Sequence, residues 1–239
     1  MEIIQCSHAE ETKKHAAEAL SAFLLDAKNI SQSVLLLLSG GSAFSILEHV
    51  DSNIVGSDVT IGMLDERFSK DETVNNFAQF SQLAFYKEAV RYGASFIDTR
   101  VKENESQSEL ADRFEQALRS WKKIYPEGVC IATMGMGANG HTAGIMPFPE
   151  NPTLFQKLFD DDTHWVAAYD AETKNPYPLR VTVTLSFLRQ VMDHAVIFIA
   201  GREKEGVLNQ VLSEEGTCAK TPARVVRDMK DAVLFCNVT

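Results

Sequence analysis

The apolar positions along this chain fall into short continuous runs that alternate with longer segments of helical period. Runs such as residues 33–38 and 129–134 are typical of strands buried on both faces of a sheet, because few polar positions interrupt them. Residues 104–124 instead repeat large apolar side chains along one side of a helix. Strands are predicted at residues 2–6, 33–38, 59–64, 94–98, 129–134, 165–169, 180–185, 195–200 and 232–238. Helices are predicted at residues 8–27, 43–50, 72–91, 104–124 and 201–212.

Strands and helices alternate from one end of the chain to the other. This alternation predicts an α/β fold with a mainly parallel sheet that is covered by helices on both faces. Of the 239 residues, 45% are hydrophobic, which is enough for a sizeable core. Because no linker, repeat or low-complexity segment divides the chain, we expect a single domain over residues 1–239.

The net charge of the chain indicates which classes of partner it can bind. The formal net charge of −10 argues against nucleic acid and against an anionic membrane surface, although a local basic pocket would still bind a phosphorylated small molecule. Apolar runs such as residues 34–38 are too short to span a bilayer, and the N-terminus lacks the pattern of a signal peptide. The four cysteines show no C-x-x-C spacing, so we expect a reducing, cytoplasmic location.

Residues 129–149 carry the motif around which the chain is organised. A predicted strand runs into the sequence GMGANGHT, which places His141 at the carboxyl edge of the sheet, where open α/β sheets bind ligands. A dinucleotide fingerprint would need a long helix after the glycines, but Pro147 and Pro149 leave room for about one to two turns. A simple tight turn and a catalytic loop with His141 as general base both remain open from this segment alone.

Three other predicted strands also end in polar residues. Residues 40–42, Gly-Gly-Ser, form a turn between a strand and a helix; this geometry can hold phosphate, although such turns are often only turns. Residues 65–67, Asp-Glu-Arg, follow the next strand. Lys204 lies in the first turn of a predicted helix, where its charge opposes the helix dipole. Because these strand ends share one edge of a parallel sheet, we expect them to converge with His141, which favours the catalytic loop.

Taken in order, these motifs resemble those of the 6-phosphogluconolactonase family, which shares its fold and ancestry with glucosamine-6-phosphate isomerase/deaminase. The motifs are G-G-S, D-E-R, G-M-G-x-x-G-H-T-A, P-x-R-x-T-x-T and G-x-x-K. They span residues 40–204, with a weaker match at residues 222–224. The resemblance implies a Rossmann-like sheet without a nucleotide cofactor. It also implies hydrolysis of 6-phosphoglucono-δ-lactone to 6-phosphogluconate in the pentose phosphate pathway.

The resemblance further implies roles for individual residues. His141 matches the family's catalytic histidine, and Asp65 and Arg67 match an active-site acid and its basic partner. The implied substrate and phosphate contacts are Gly40, Gly41, Ser42, Arg67, Asn139, Gly140, Arg180 and Lys204. No metal is implied, and the other histidines are scattered along the sequence: His8, His15, His49, His164 and His194.

The chemistry of a lactone is consistent with this set of residues. A lactone is an activated ester, so one base and one oxyanion site suffice. Neutral His141 would take a proton from water as the water attacks C1, while backbone N–H groups or Arg67 would hold the oxyanion. Arg67, Arg180 and Lys204 would bind the dianionic phosphate. We therefore expect a sugar phosphate lactone as the partner, no nucleic acid or membrane, and a monomer or homodimer.

Two positions depart from the family pattern, and two alternative functions follow. Asn139 stands where the family usually has Asp, and Ala43 stands where it often has Thr. A catalytically impaired sugar-phosphate-binding protein would fit the loss of the carboxylate at Asn139. A glucosamine-6-phosphate deaminase would typically carry a Glu shortly after the histidine and a D-E-Y motif. Here residues 142–147 contain no carboxylate and the motif is D-E-R, and both differences favour the lactonase.

Overall fold

The computed structural model describes residues 1–238, and a parallel sheet of seven strands forms the centre of the molecule. In chain order the strands are β1 (Glu2–Gln5), β2 (Val34–Leu38), β3 (Val59–Met63), β4 (Asp65–Arg67), β5 (Ser95–Phe96), β6 (Val129–Gly135), β7 (Val166–Asp170), β8 (Leu179–Val183), β9 (His194–Ala200) and β10 (Asp231–Asn237). The large sheet has the order β1-β10-β9-β6-β2-β3-β5, and every pairing in it is parallel. The predicted α/β fold with a mainly parallel sheet is therefore confirmed.

Helices cover both faces of this sheet, as strand β2 illustrates. Leu36 belongs to a buried cluster that contains Leu20, whereas Leu35 belongs to a cluster on the opposite face that contains Phe114. The α-helices are α1 (Ala9–Asn29), α2 (Asn76–Gln82), α3 (Ala84–Arg91), α4 (Gln107–Ile124), α5 (Pro152–Phe159), α6 (Leu185–Gln190) and α7 (Glu205–Leu212). Within residues 1–238, no helix combines the length and apolarity needed to cross a bilayer.

A second, antiparallel sheet of strands β4, β8 and β7 was not predicted. The sequence indicated only a charged strand end at residues 65–67, because three charged residues show no apolar alternation. In the structure these residues pair with β8, so that Asp65 lies opposite Thr182 and Arg67 opposite Arg180. The small sheet therefore places Arg180, which is 113 residues further along the chain than Arg67, next to the end of β3.

Several local elements differ from the predicted ones. The helix expected at residues 43–50 is a 3-10 helix, Gly41–His49, and the helix expected from residue 201 begins with a 3-10 turn, Arg202–Lys204, before α7. Helices α5 and α6 were not predicted because both are short. Their starts carry ordinary caps, since Asn151 accepts a hydrogen bond from Leu154 N and Thr184 accepts one from Phe187 N.

Candidate active site

A cavity of about 180 Å³ opens where β2 and β6 end, beside the small antiparallel sheet. Loops after β2 and β6 supply much of its wall, while β4 and β8 close one side. Eight of the ten residues singled out from the sequence line it: Gly40, Gly41, Ser42, Asp65, Arg67, His141, Arg180 and Lys204. Residues that are far apart in the chain thus share one cavity, because the parallel strands end at a common edge and the antiparallel sheet adds Arg67 and Arg180 beside it.

The imidazole of His141 is held by the glycine-rich loop after β6. Its ring lies against Gly137, where a Cβ atom would lie 2.0 Å from the ring atoms Cε1 and Nδ1, so no side chain fits at that position. The Nδ1 atom lies 2.5 Å from Oδ1 of Asn139, and Gly137 N donates a hydrogen bond to His141 O at 2.8 Å. A carbonyl oxygen can only accept a hydrogen bond, so this contact favours the tautomer with the proton on Nδ1 and leaves Nε2 as the basic nitrogen.

The surroundings of His141 keep its imidazole neutral. Burial lowers the pKa of His141 to about 4; the carboxylate of Asp65 opposes this shift, and the charges of Arg180, Lys204 and Arg67 add to it. A neutral imidazole at physiological pH can accept a proton from water, as a general base must.

Asp65 and Arg180 form a buried ion pair in the cavity wall. Arg180 Nη2 donates to Asp65 Oδ2 at 2.6 Å, and the two side chains are only 5% and 6% exposed. The Nε atom of Arg180 is buried and has no hydrogen-bond partner in the described range, residues 1–238. The backbone carbonyl of Arg180 accepts a hydrogen bond from Gln107 Nε2 at 2.8 Å, which anchors β8 to α4.

Arg67 and Lys204 supply two further cations that have no carboxylate partner among residues 1–238. Arg67 Nη1 donates to Val74 O at 3.3 Å, and its guanidinium lies 5.3 Å from the ring centroid of Tyr177. Its Nε is buried and has no partner in the part of the chain that the structure describes. Lys204 Nζ donates to Met136 O at 2.7 Å. Three cations and one carboxylate therefore surround the cavity, which gives an acidic protein a local site for an anion.

Two residues proposed from the sequence as substrate contacts, Asn139 and Gly140, are not part of the cavity wall. Asn139 is exposed and contacts His141 from outside, while Gly140 is buried. Gly140 N donates to Gly137 O at 2.9 Å and Gly140 O accepts from Ala223 N at 3.0 Å. The two residues shape the loop that carries His141.

Asn76 also lines the cavity, although no sequence pattern had singled it out. It opens α2, where Glu66 Oε1 accepts a hydrogen bond from Asn76 N at 2.5 Å and Glu66 Oε2 accepts one from Phe77 N at 3.0 Å. Burial raises the pKa of Glu66 to about 7, while the hydrogen bonds that it accepts favour the ionised carboxylate. Glu66 is not part of the cavity wall, so we assign it to the start of α2.

Comparison with known proteins gives a consistent result. The family described as glucosamine-6-phosphate isomerases/6-phosphogluconolactonase matches residues 7–235. A curated 6-phosphogluconolactonase of Neisseria meningitidis serogroup B is 26% identical over 214 residues, which are 87% of each chain. The crystal structure of a 6-phosphogluconolactonase from Shewanella baltica has a TM-score of 0.76 at 20% identity and covers 99% of this chain and 97% of that one. A monomeric glucosamine-6-phosphate deaminase has a TM-score of 0.69 at 17% identity and covers 100% and 98%.

Proposed function

We propose a lactonase function for this chain, which belongs to the glucosamine-6-phosphate isomerase/6-phosphogluconolactonase family. The reaction is hydrolysis of 6-phospho-D-glucono-1,5-lactone to 6-phospho-D-gluconate. The observation that carries the proposal is a neutral His141 in the same cavity as Arg67, Arg180 and Lys204. A base next to a group of cations suits a substrate that has an ester carbonyl at one end and a phosphate at the other.

In the proposed mechanism, Nε2 of His141 takes a proton from a water molecule as its oxygen attacks C1 of the lactone. The oxyanion that forms is held by backbone N–H groups of the loops that line the cavity or by Arg67. When the intermediate collapses, the C1–O5 bond breaks and the protonated His141 returns its proton to the departing ring oxygen. The product is an open-chain carboxylate, and His141 is neutral again.

Asn139 orients the base in this scheme. Its Oδ1 accepts the hydrogen bond from Nδ1–H of His141, so the lone pair of Nε2 is free for water. An amide oxygen provides this hydrogen bond without adding negative charge. An activated ester needs a weaker base than an amide would, so we assign Asn139 an orienting role.

The phosphate is proposed to lie against the cations and the turn after β2. Arg67 and Arg180 each keep a buried Nε donor without a partner among residues 1–238, and Gly41 and Ser42 are exposed at the start of a 3-10 helix. Charge-assisted hydrogen bonds from guanidinium groups are the strong contacts for a dianion. This arrangement predicts that the phosphorylated lactone is preferred over glucono-1,5-lactone.

The decisive experiment measures acid release from newly prepared 6-phosphogluconolactone at constant pH, corrected for spontaneous opening, with a chelator present. The unphosphorylated lactone serves as the matched substrate, and ammonia release from glucosamine 6-phosphate tests the deaminase alternative. The proposal predicts lactone opening well above the spontaneous rate and no ammonia. Ammonia release at a rate comparable with lactone opening would favour the deaminase, and sugar-phosphate binding without either reaction would favour a binding protein.

A further inference from the structure

The side chain of Asn76 lies between Asp65 and the turn at Gly40, both of which line the cavity. It is 1% exposed. Its Nδ2 donates to the backbone oxygen of Asp65 at 3.0 Å and to the carboxylate oxygen Oδ2 of Asp65 at 3.4 Å. Arg180 donates to the same carboxylate oxygen. Two donors on Oδ2 fix the orientation of the carboxyl group and leave Oδ1 of Asp65 free of hydrogen bonds from residues 1–238.

The other end of the same amide lies against the turn after β2. A Cβ atom built on Gly40 would lie 2.3 Å from Asn76 Oδ1, and this buried oxygen accepts no hydrogen bond from residues 1–238. Gly40 has φ −74° and ψ −178°, a conformation that any residue adopts. The close approach of Asn76, and not the backbone conformation, therefore excludes a side chain at Gly40.

We propose that Asn76 is a positioning residue that links the Gly40–Ser42 turn to the carboxylate of Asp65, which lines the same cavity as His141, so that the phosphate site and the base keep a fixed spacing. This inference rests on the proposed lactonase function. The Nδ2 group of Asn76 donates hydrogen bonds to Asp65, and its Oδ1 atom fills the space beside Gly40. A substrate that is bound at both ends tolerates little change in the distance between its two binding sites, because small misplacements cost rate steeply.

The first test is Asn76→Asp, with Asn75→Asp as the matched control. Asn76→Asp removes the donor to Asp65 and adds a negative charge beside it. Asn75→Asp adds the same charge one residue away and keeps the oxygen that caps α2 by accepting from Ala78 N at 2.8 Å. It loses no hydrogen bond to residues 1–238, because Asn75 Nδ2 has no partner among them. We expect kcat/KM to fall roughly 10- to 100-fold in Asn76→Asp and to stay near the wild-type value in Asn75→Asp.

The pH profile separates positioning from a general loss of structure. A second carboxylate beside Asp65 favours protonation of its neighbours, so the acid limb of kcat should move to higher pH in Asn76→Asp and remain in place in Asn75→Asp. An equal fall in both variants, or a fall in Asn76→Asp without movement of the acid limb, would overturn the proposal. If Asn76→Asp does not fold, Asn76→Ser is measured instead. It should lower kcat/KM by a similar factor while its thermal melting stays cooperative.

The second test is a double-mutant cycle between Asn76 and Gly40. Gly40→Ala should reduce kcat/KM because its methyl group meets Asn76 Oδ1. In an Asn76→Ala background this clash is absent, so the added methyl group should cost little. The double variant should therefore be no worse than Asn76→Ala alone. Additive losses would show that the two residues act independently, and the proposed link would be wrong.

The proposed function and this inference fail in different ways. A wild-type protein that does not open the lactone refutes the function whatever the variants do. In that case the double-mutant cycle uses binding instead of kcat/KM: calorimetry measures the dissociation constant of 6-phosphogluconate for the wild type, both single variants and the double variant. The link predicts weaker binding in Gly40→Ala and in Asn76→Ala, and no additional loss in the double variant. Unchanged binding in the single variants would refute it.

Discussion

Nδ1 of His141 lies 2.5 Å from Oδ1 of Asn139, so an amide oxygen fixes the orientation of the proposed base. Asn139 is exposed, and a charge placed there would be screened by solvent. We therefore expect Asn139→Asp to change kcat less than threefold. Asn139→Ala removes the hydrogen bond and should lower kcat about 3- to 10-fold without raising KM. Steady-state kinetics of both variants checks this. A tenfold gain in Asn139→Asp would instead show that the missing charge limits the enzyme.

The ion pair of Asp65 and Arg180 should contribute to stability as well as to the site. Asp65→Asn leaves Arg180 buried without its charge partner, so the free energy of unfolding should fall by about 3 kcal/mol. The exposed pair of Glu88 and Arg91 provides the control, and Arg91→Ala should cost less than about 0.5 kcal/mol. Urea denaturation of the two variants measures both values. Similar losses in the two variants would contradict the assignment.

Tyr177 is predicted to hold the guanidinium of Arg67 in place. The ring centroid lies 5.3 Å from the Arg67 guanidinium carbon, and Tyr177 is 43% exposed, so its replacement should not unfold the protein. Tyr177→Ala should raise KM for the phosphorylated lactone roughly two- to fivefold and leave kcat near the wild-type value. Tyr177→Phe keeps the aromatic face and should behave as wild type. If Tyr177→Phe raised KM as much as Tyr177→Ala, the hydroxyl group and not the aromatic ring would be responsible.

The low pKa of His141 predicts a specific dependence of stability on pH. An unfolded chain has an ordinary histidine pKa of about 6.5, whereas burial lowers the pKa of His141 to about 4 in the fold. Between these values the unfolded chain binds a proton that the native chain does not, so this residue destabilises the fold as the pH falls through that window. His141→Gln should therefore gain stability relative to wild type as the pH is lowered. A pH-independent difference in the urea denaturation of the two proteins would contradict the lowered pKa.

The sequence was sufficient to predict the main sheet and the convergence of the strand ends. Continuous apolar runs such as residues 129–134 are a strong signal because strands of a parallel sheet are buried on both faces. The ends of such strands meet at one edge, so His141 and Lys204 could be placed together before the fold was known. The proposed roles of these residues in catalysis and binding stay predictions.

The features that could not be predicted depend on contacts between distant segments. Strand β4 consists of three charged residues, so its sequence has no alternation of apolar and polar positions that would predict its pairing with β8. Asn76 looks like an ordinary residue at a helix start, and only its approach to Asp65 and Gly40 distinguishes it. Tyr177 likewise could not be selected from the sequence, because it contacts the guanidinium of Arg67, which is far away in the chain.

Whether His141 is the base is decided by kcat/KM of His141→Gln on newly prepared 6-phosphogluconolactone, measured beside the wild-type protein. Glutamine fills much of the same space and can hydrogen-bond, but it cannot take up a proton from water. We predict a loss of about 10²- to 10⁴-fold in kcat/KM, with thermal melting that remains cooperative. Full activity in His141→Gln would show that His141 is not the base and would contradict the proposed mechanism.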